Sequence, residues 1–240
     1  KLRQMGFSPK IVNTLEGSFV GKDFENGRVG FLRALANKIV PENMQNLKEA
    51  KIIYVIGASG NGSTTLAAKF AALFAEKSEN ITNKVGLAEL DNGINMVSES
   101  LRGYGRLLNL KTFLLESKKA PTFHKDVSQI IVDVSNGYDS AHENIDLARK
   151  LYGNKNVAVV LSLPGGSSKR LIKMLWSETE DLKPVIALTK LDECEMGPEE
   201  FSEIAELDAC ISVITGTNAI VGTLAMASEN VMTQYLKENC

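Results

Sequence analysis

From residue 51 onward, apolar and polar positions alternate in blocks. Short, nearly continuous apolar runs rich in Val and Ile fall at 51–57 (KIIYVIG), 84–90 (KVGLAEL), 111–116 (KTFLLE), 128–134 (SQIIVDV), 156–162 (NVAVVLS), 184–189 (PVIALT) and 210–215 (CISVIT). Runs of this length and composition predict strands buried on both faces of a parallel sheet. The stretches between them carry helical periodicity, and helices are expected at 64–77, 97–108, 141–151, 168–176, 198–205 and 220–236. Such alternation predicts a doubly wound α/β domain.

Residues 1–48 contain no strand-like run. The segments 6–19 (GFSPKIVNTLEGSF) and 28–40 (RVGFLRALANKIV) space their apolar residues at i, i+3 and i+4, as amphipathic helices do. Ser8 followed by Pro9 predicts an N-cap and a first-turn proline. So short a segment cannot build its own core. A small helical subdomain (1–48) packed on an α/β body (49–240) is therefore expected.

Composition narrows the class. The chain has 240 residues, 44% of them apolar, and a net charge of −2. Nothing in that balance favours nucleic acid or an acidic membrane surface. Cys194, Cys210 and Cys240 are odd in number and fit no zinc or disulfide spacing, which points to a reducing cytoplasm. No apolar run approaches the roughly 18 residues of a membrane span, and no signal peptide is visible. The chain begins at Lys1 rather than Met, so it reads as a fragment.

Candidate chemistry starts at residues 57–65, GASGNGSTT. A phosphate-binding loop has the pattern G-x-x-x-x-G-K-[ST], between a strand and a helix. Gly57 and Gly62 have that spacing. Ser59, Gly60 and Asn61 lie within the turn, and Thr64, followed by Thr65, stands where a Mg²⁺-binding hydroxyl belongs. Ser63 replaces the lysine. Backbone N–H groups at the helix start can still face an anion without it. The missing charge-assisted contact is worth roughly 1.5–3 kcal/mol, about 10- to 100-fold in affinity. The alternative is a tight strand-to-helix turn with no ligand.

A second motif is TKLDE at 189–193, after the strand PVIAL. It has the shape of the base-reading loop of GTPases. There an aspartate, here Asp192, accepts hydrogen bonds from guanine N1–H and the exocyclic amine, and a lysine, here Lys190, lies over the base and ties the loop to the phosphate loop. Adenine cannot supply that donor pair, which disfavours an ATPase reading. Both loops sit at C-terminal ends of predicted strands, where doubly wound sheets bind ligands.

Together these loops resemble the signal-recognition-particle family of GTPases, and within it the flagellar FlhF branch. The likeness covers nearly the whole chain, with 1–48 similar to the family's N subdomain and 49–240 to its P-loop G domain. GASGNGSTT and the following LAAKFAALF stand where the family has GPTGVGKTT and its helix. DNGINMVSESLRGYG stands where it has DTYR and a helix, with Asp91, Glu99, Leu101 and Tyr104 in step. The segment 84–116 looks like the family's insertion box. DVSNG (133–137) replaces DTAGR, and TKLDE matches outright. ISVITGTN (211–218) is similar to the closing loop ISYITTGQN, with Thr215, Gly216 and Asn218 in place.

The resemblance implies GTP or GDP with Mg²⁺ as ligands. Thr64 and Asp133 would hold the metal, and Asp91 and Asp133 would position water. For both aspartates the alternative is a solvated carboxylate capping the next segment. The departures cluster on the γ-phosphate side: Ser63 for lysine, Ile94 for the arginine of DTYR, Asn136 for glycine and Gly137 for arginine. The resemblance therefore implies a degenerate GTPase with weak or lost nucleotide binding and impaired hydrolysis. It would act as a regulatory or scaffolding protein whose partners dock on the family's dimerisation face, as a homodimer or with a related GTPase. The alternative is an active GTPase completed by a partner that supplies cations in trans. The implied setting is cytoplasmic, at the inner face of the membrane, in flagellar or secretion-type machinery. His124 and His142 lack ligand spacing, Cys194 reads as incidental, and Trp176 as packing.

Overall fold

The computed structural model describes residues 1–41, 45–76, 84–91, 93–134, 138–217 and 219–240. The N-terminal segment forms α1 (Pro9–Thr14), α2 (Phe24–Ile39) and the short α3 (Gln45–Glu49). Ser8 caps α1 as expected, its hydroxyl accepting from the Ile11 N–H at 3.2 Å with Pro9 in the first turn. α2 starts at Phe24, four residues before the expected start, because Asp23 caps it by accepting from the Asn26 N–H at 2.9 Å. Gly30 sits inside that helix where a Cβ would lie 2.5 Å from the Ser18 carbonyl. A residue that resembles a helix breaker is here the condition for close packing.

The α/β part runs β1 (Ile52–Ile56), α4 (Ser63–Glu76), β2 (Lys84–Leu90), α5 (Glu99–Leu108), β3 (Lys111–Leu115), β4 (Val127–Val134), α6 (Tyr138–Tyr152) and β5 (Val157–Pro164). It continues with α7 (Lys169–Ser177), β6 (Val185–Thr189), α8 (Pro198–Glu206), β7 (Ile211–Ile214), β8 (Ala225–Met226) and α9 (Glu229–Asn239). The sheet order is β3-β2-β4-β1-β5-β6-β7-β8, parallel except for the β7–β8 pair. The seven expected strands are all present. The expected helix 220–236 is shortened. Gly222 takes a left-handed φ of 68°, Ala225–Met226 pair with β7, and Ser228 caps α9 by accepting from the Val231 N–H.

β1 is buried along its whole length. Its residues divide the core: Ile52, Tyr54 and Ile56 face one apolar cluster, Ile53 and Val55 the other, as the two-residue period of a strand requires. Phe7, Ile11, Phe31, Leu35 and Ile39 belong to the first cluster, so the N-terminal helices share the core of the sheet. α2 also packs along α9, and the Arg28 guanidinium donates to the Cys240 carbonyl at 3.1 Å. No helix among the described residues is long and apolar enough to cross a membrane. With β1 flanked by β4 and β5, the loops leaving the C-terminal ends of β4, β1, β5, β6 and β7 converge at one edge.

Candidate functional site

The loop after β1 is shaped by its neighbours. A Cβ on Gly57 would lie 3.1 Å from the Ser162 Cβ and 3.3 Å from the Ser63 Cβ. Gly60 and Gly62 take φ of 86° and 82°, which favours glycine. The Asn61 carbonyl accepts two hydroxyls, Ser162 Oγ at 2.8 Å from β5 and Thr189 Oγ1 at 2.9 Å from β6. It is thus Thr189, rather than Lys190, that ties the base loop to the phosphate loop; Lys190 Nζ instead lies 3.5 Å from Glu193. Ser59 and Gly60 are exposed at the tip, Ser63 is buried at the start of α4, and Thr64 and Thr65 are half-buried. Thr65 Oγ1 lies 3.0 Å from the Tyr104 hydroxyl on α5.

Beside this loop, at the end of β4, the Asp133 side chain is fully buried and neither carboxylate oxygen has a hydrogen-bond partner. Burial pushes its pKa up, the Thr64 hydroxyl draws it back, Glu89 repels it upward and Ser63 draws it back, leaving it at about 6. The two hydroxyls face the carboxylate without satisfying it. A buried, unpartnered carboxylate next to a threonine hydroxyl is the hard-oxygen donor set Mg²⁺ takes, so these residues fit that ion. Asp91 is arranged differently. Its Oδ1 accepts from the N–H groups of Gly93 (2.9 Å) and Asn95 (3.0 Å), which caps the turn after β2. That turn holds Ile94 and Met96 exposed on the rim.

On the other side of the cleft the base loop leaves β6. Lys190 takes a left-handed φ of 55°, and the exposed Asp192 follows. Gly216 lies against it; a Cβ there would be 3.0 Å from both the Asp192 nitrogen and the Leu191 Cβ. Gly165 backs the same loop, where a Cβ would fall 1.8 Å from the Cys194 carbonyl. Lys69 on α4 is buried, and its ammonium donates to Thr215 Oγ1 at 2.7 Å and to the Thr217 carbonyl. Burial lowers its pKa and nearby Asp192 opposes that shift.

No protein-family model and no curated protein matches the chain. Solved structures do match. FlhF complexed with GTP and Mg²⁺ aligns with a TM-score of 0.71 at 18% identity, over 98% of this chain and 95% of that one. The signal recognition particle receptor FtsY from Elizabethkingia anophelis aligns with a TM-score of 0.71 at 15% identity, over 94% of this chain and 79% of that one. Chloroplast FtsY from Physcomitrella patens gives 0.70 at 16%, over 98% and 84%. The fold is that of the signal-recognition-particle-type GTPases.

Within this GTPase fold, the sequence-predicted residues Gly57–Thr65, Asp133, Lys190, Asp192 and Gly216 come together at one edge of the sheet, and Asp91 sits on its rim. Asn218, Asn136 and Gly137 lie outside the described residues. Four residues escaped the motif reading: Glu89, Lys69, Ser162 and Thr189 in its tying role. Glu89 is buried on β2, the register partner of Asp133 on β4. The signal was available for two of them. A glutamate in the apolar run KVGLAEL, and a lysine in the apolar helix stretch LAAKFAALF, are both polar groups in a pattern that predicts burial.

Proposed function

We propose that this chain is a degenerate signal-recognition-particle-type GTPase that binds guanine nucleotide weakly, hydrolyses it slowly if at all, and works as a regulatory or scaffolding protein. The observation that carries the reading is the pairing of an intact base loop, Thr189–Asp192 backed by Gly216, with a phosphate loop that has Ser63 in place of lysine. Asp192 accepts from guanine, backbone N–H groups of the 57–64 turn cradle phosphate, and Thr64 and Asp133 hold Mg²⁺. Bound there, Mg²⁺ would offset phosphate charge. Hydrolysis is slow in this reading because positions 63, 94 and 137 carry no cation. Arginine fingers in phosphoryl transfer are worth about 10³–10⁵ in rate. The setting that goes with the FlhF likeness is flagellar or secretion-type machinery at the cytoplasmic face of the inner membrane.

Titration calorimetry with GTP, GDP and ATP, each with Mg²⁺, tests this. Micromolar guanine-selective binding, with the selectivity lost in Asp192→Asn, is the expected result. No heat with any nucleotide removes the binding reading, and unaided turnover of the isolated chain at about 1 s⁻¹ or faster, within the usual range of enzyme turnover, removes the degenerate one.

A second reading is favoured by the exposed Ile94 and Met96 beside the cleft, which offer an apolar rim to a docking protein. In it, a homodimer or related GTPase supplies the missing cations, and turnover appears only when that partner is added.

A further inference from the structure

Where β2, β4 and the start of α4 meet, the protein buries more negative charge than the described surroundings balance. Asp133 and Glu89 are register partners on adjacent parallel strands, so both side chains leave the same face of the sheet. They are 0% and 7% exposed. The groups that face Asp133 from α4 are the neutral hydroxyls of Thr64 and Ser63, and among the described residues no basic side chain perturbs it. Lys69, one turn further along α4, is committed to Thr215 and Thr217. Glu89 is held in place, its Oε2 accepting from the Ser98 N–H at 2.7 Å. Both oxygens of Asp133 are without a hydrogen-bond partner, and a buried carboxylate in that state strongly favours an added positive charge.

Mg²⁺-type ions are usually held by one or two carboxylates plus phosphate oxygens, the phosphates supplying part of the negative charge. Here a second protein carboxylate stands beside the first, and the lysine that would compete with a cation is missing. We infer that Asp133, Thr64 and Glu89 form a divalent-cation site that fills without a nucleotide. Asp133 and Thr64 are the ligands, and Glu89 supplies the extra charge that makes phosphate unnecessary. The cleft then offers phosphate a resident metal ion in place of the missing ammonium group.

Mn²⁺ is the probe, since the free ion has a six-line paramagnetic resonance spectrum that is lost on binding. Titrated into the chelator-stripped chain with no nucleotide present, it should show one bound ion per chain. Glu89→Gln, whose amide oxygen still accepts from Ser98, should weaken that binding roughly tenfold, and Ser63→Lys at least as much. Mn²⁺ that stays free up to millimolar concentration, or binds Glu89→Gln as tightly as the unaltered chain, overturns the inference. The outcome is separable from the guanine reading. A chain that takes up Mn²⁺ but no nucleotide keeps this inference and loses that one, and binding of nucleotide without Mn²⁺ uptake by the empty cleft does the reverse.

Discussion

The two sides of the cleft are built to different standards. On the base side, buried charge is matched: the Lys69 ammonium meets Thr215 and Thr217, and Gly216 and Gly165 let three loops touch at backbone distance. On the phosphate side, Asp133 is buried with nothing to meet, next to a second carboxylate and two hydroxyls. Both sides hang from one continuous sheet, so a general loosening of the fold does not explain the difference. The packing that shapes the loop is kept, with Gly57, Gly60, Gly62 and the doubly bonded Asn61 carbonyl in place. What differs is charge alone.

Breaking the matched side should have the largest effect. Gly165→Ala puts a methyl group inside the Cys194 carbonyl. It should cost about 3 kcal/mol in urea unfolding, as overpacking against backbone does, and should weaken guanine binding with it.

Relieving the unmatched side should act in the opposite direction. A folded-state pKa of about 6 for Asp133, against the ordinary aspartate value of 3.8, means the native state binds the extra proton between those values. The penalty from Asp133 is therefore absent below about pH 4, grows as pH rises, and is fully present above about pH 6. Asp133→Asn, measured in chelator, should gain about 2 kcal/mol at pH 7 and flatten stability between pH 4 and 6. A loss of stability at pH 7 would mean the carboxylate is satisfied after all.

Adding the missing cation should bring the two sides level. Ser63→Lys should tighten GTP binding with Mg²⁺ about 10- to 100-fold by calorimetry. The smallest change is expected at Glu193→Ala. It removes only an exposed pair with Lys190, worth at most about 1 kcal/mol, and should move GTP affinity by less than about threefold.

The sheet was legible because buried parallel strands leave continuous Val- and Ile-rich runs, and all seven found that way are present. β8 was not, since two residues carry no period; it exists only because β7 offers an open edge to Ala225–Met226. The start of α9 was misplaced because residues 220–227 are apolar enough to continue a helix, while the cap at Ser228 decides otherwise. In the cleft, glycine spacing and the TKLDE motif marked positions where backbone approaches a ligand or another loop. Motifs are silent on what charge surrounds them. Glu89 and Lys69 are far in sequence from the residues they meet, and only strand register and helix packing bring them beside Asp133 and the closing loop.

The Asn61 carbonyl, held at once by Ser162 and Thr189, has a kinetic consequence. A loop pinned by two strands needs no ordering when a ligand arrives, so encounter should be as fast as in a pocket with all its charges. The lost ammonium contact would then show as a short residence time, with the chain sampling nucleotide rapidly and letting it go.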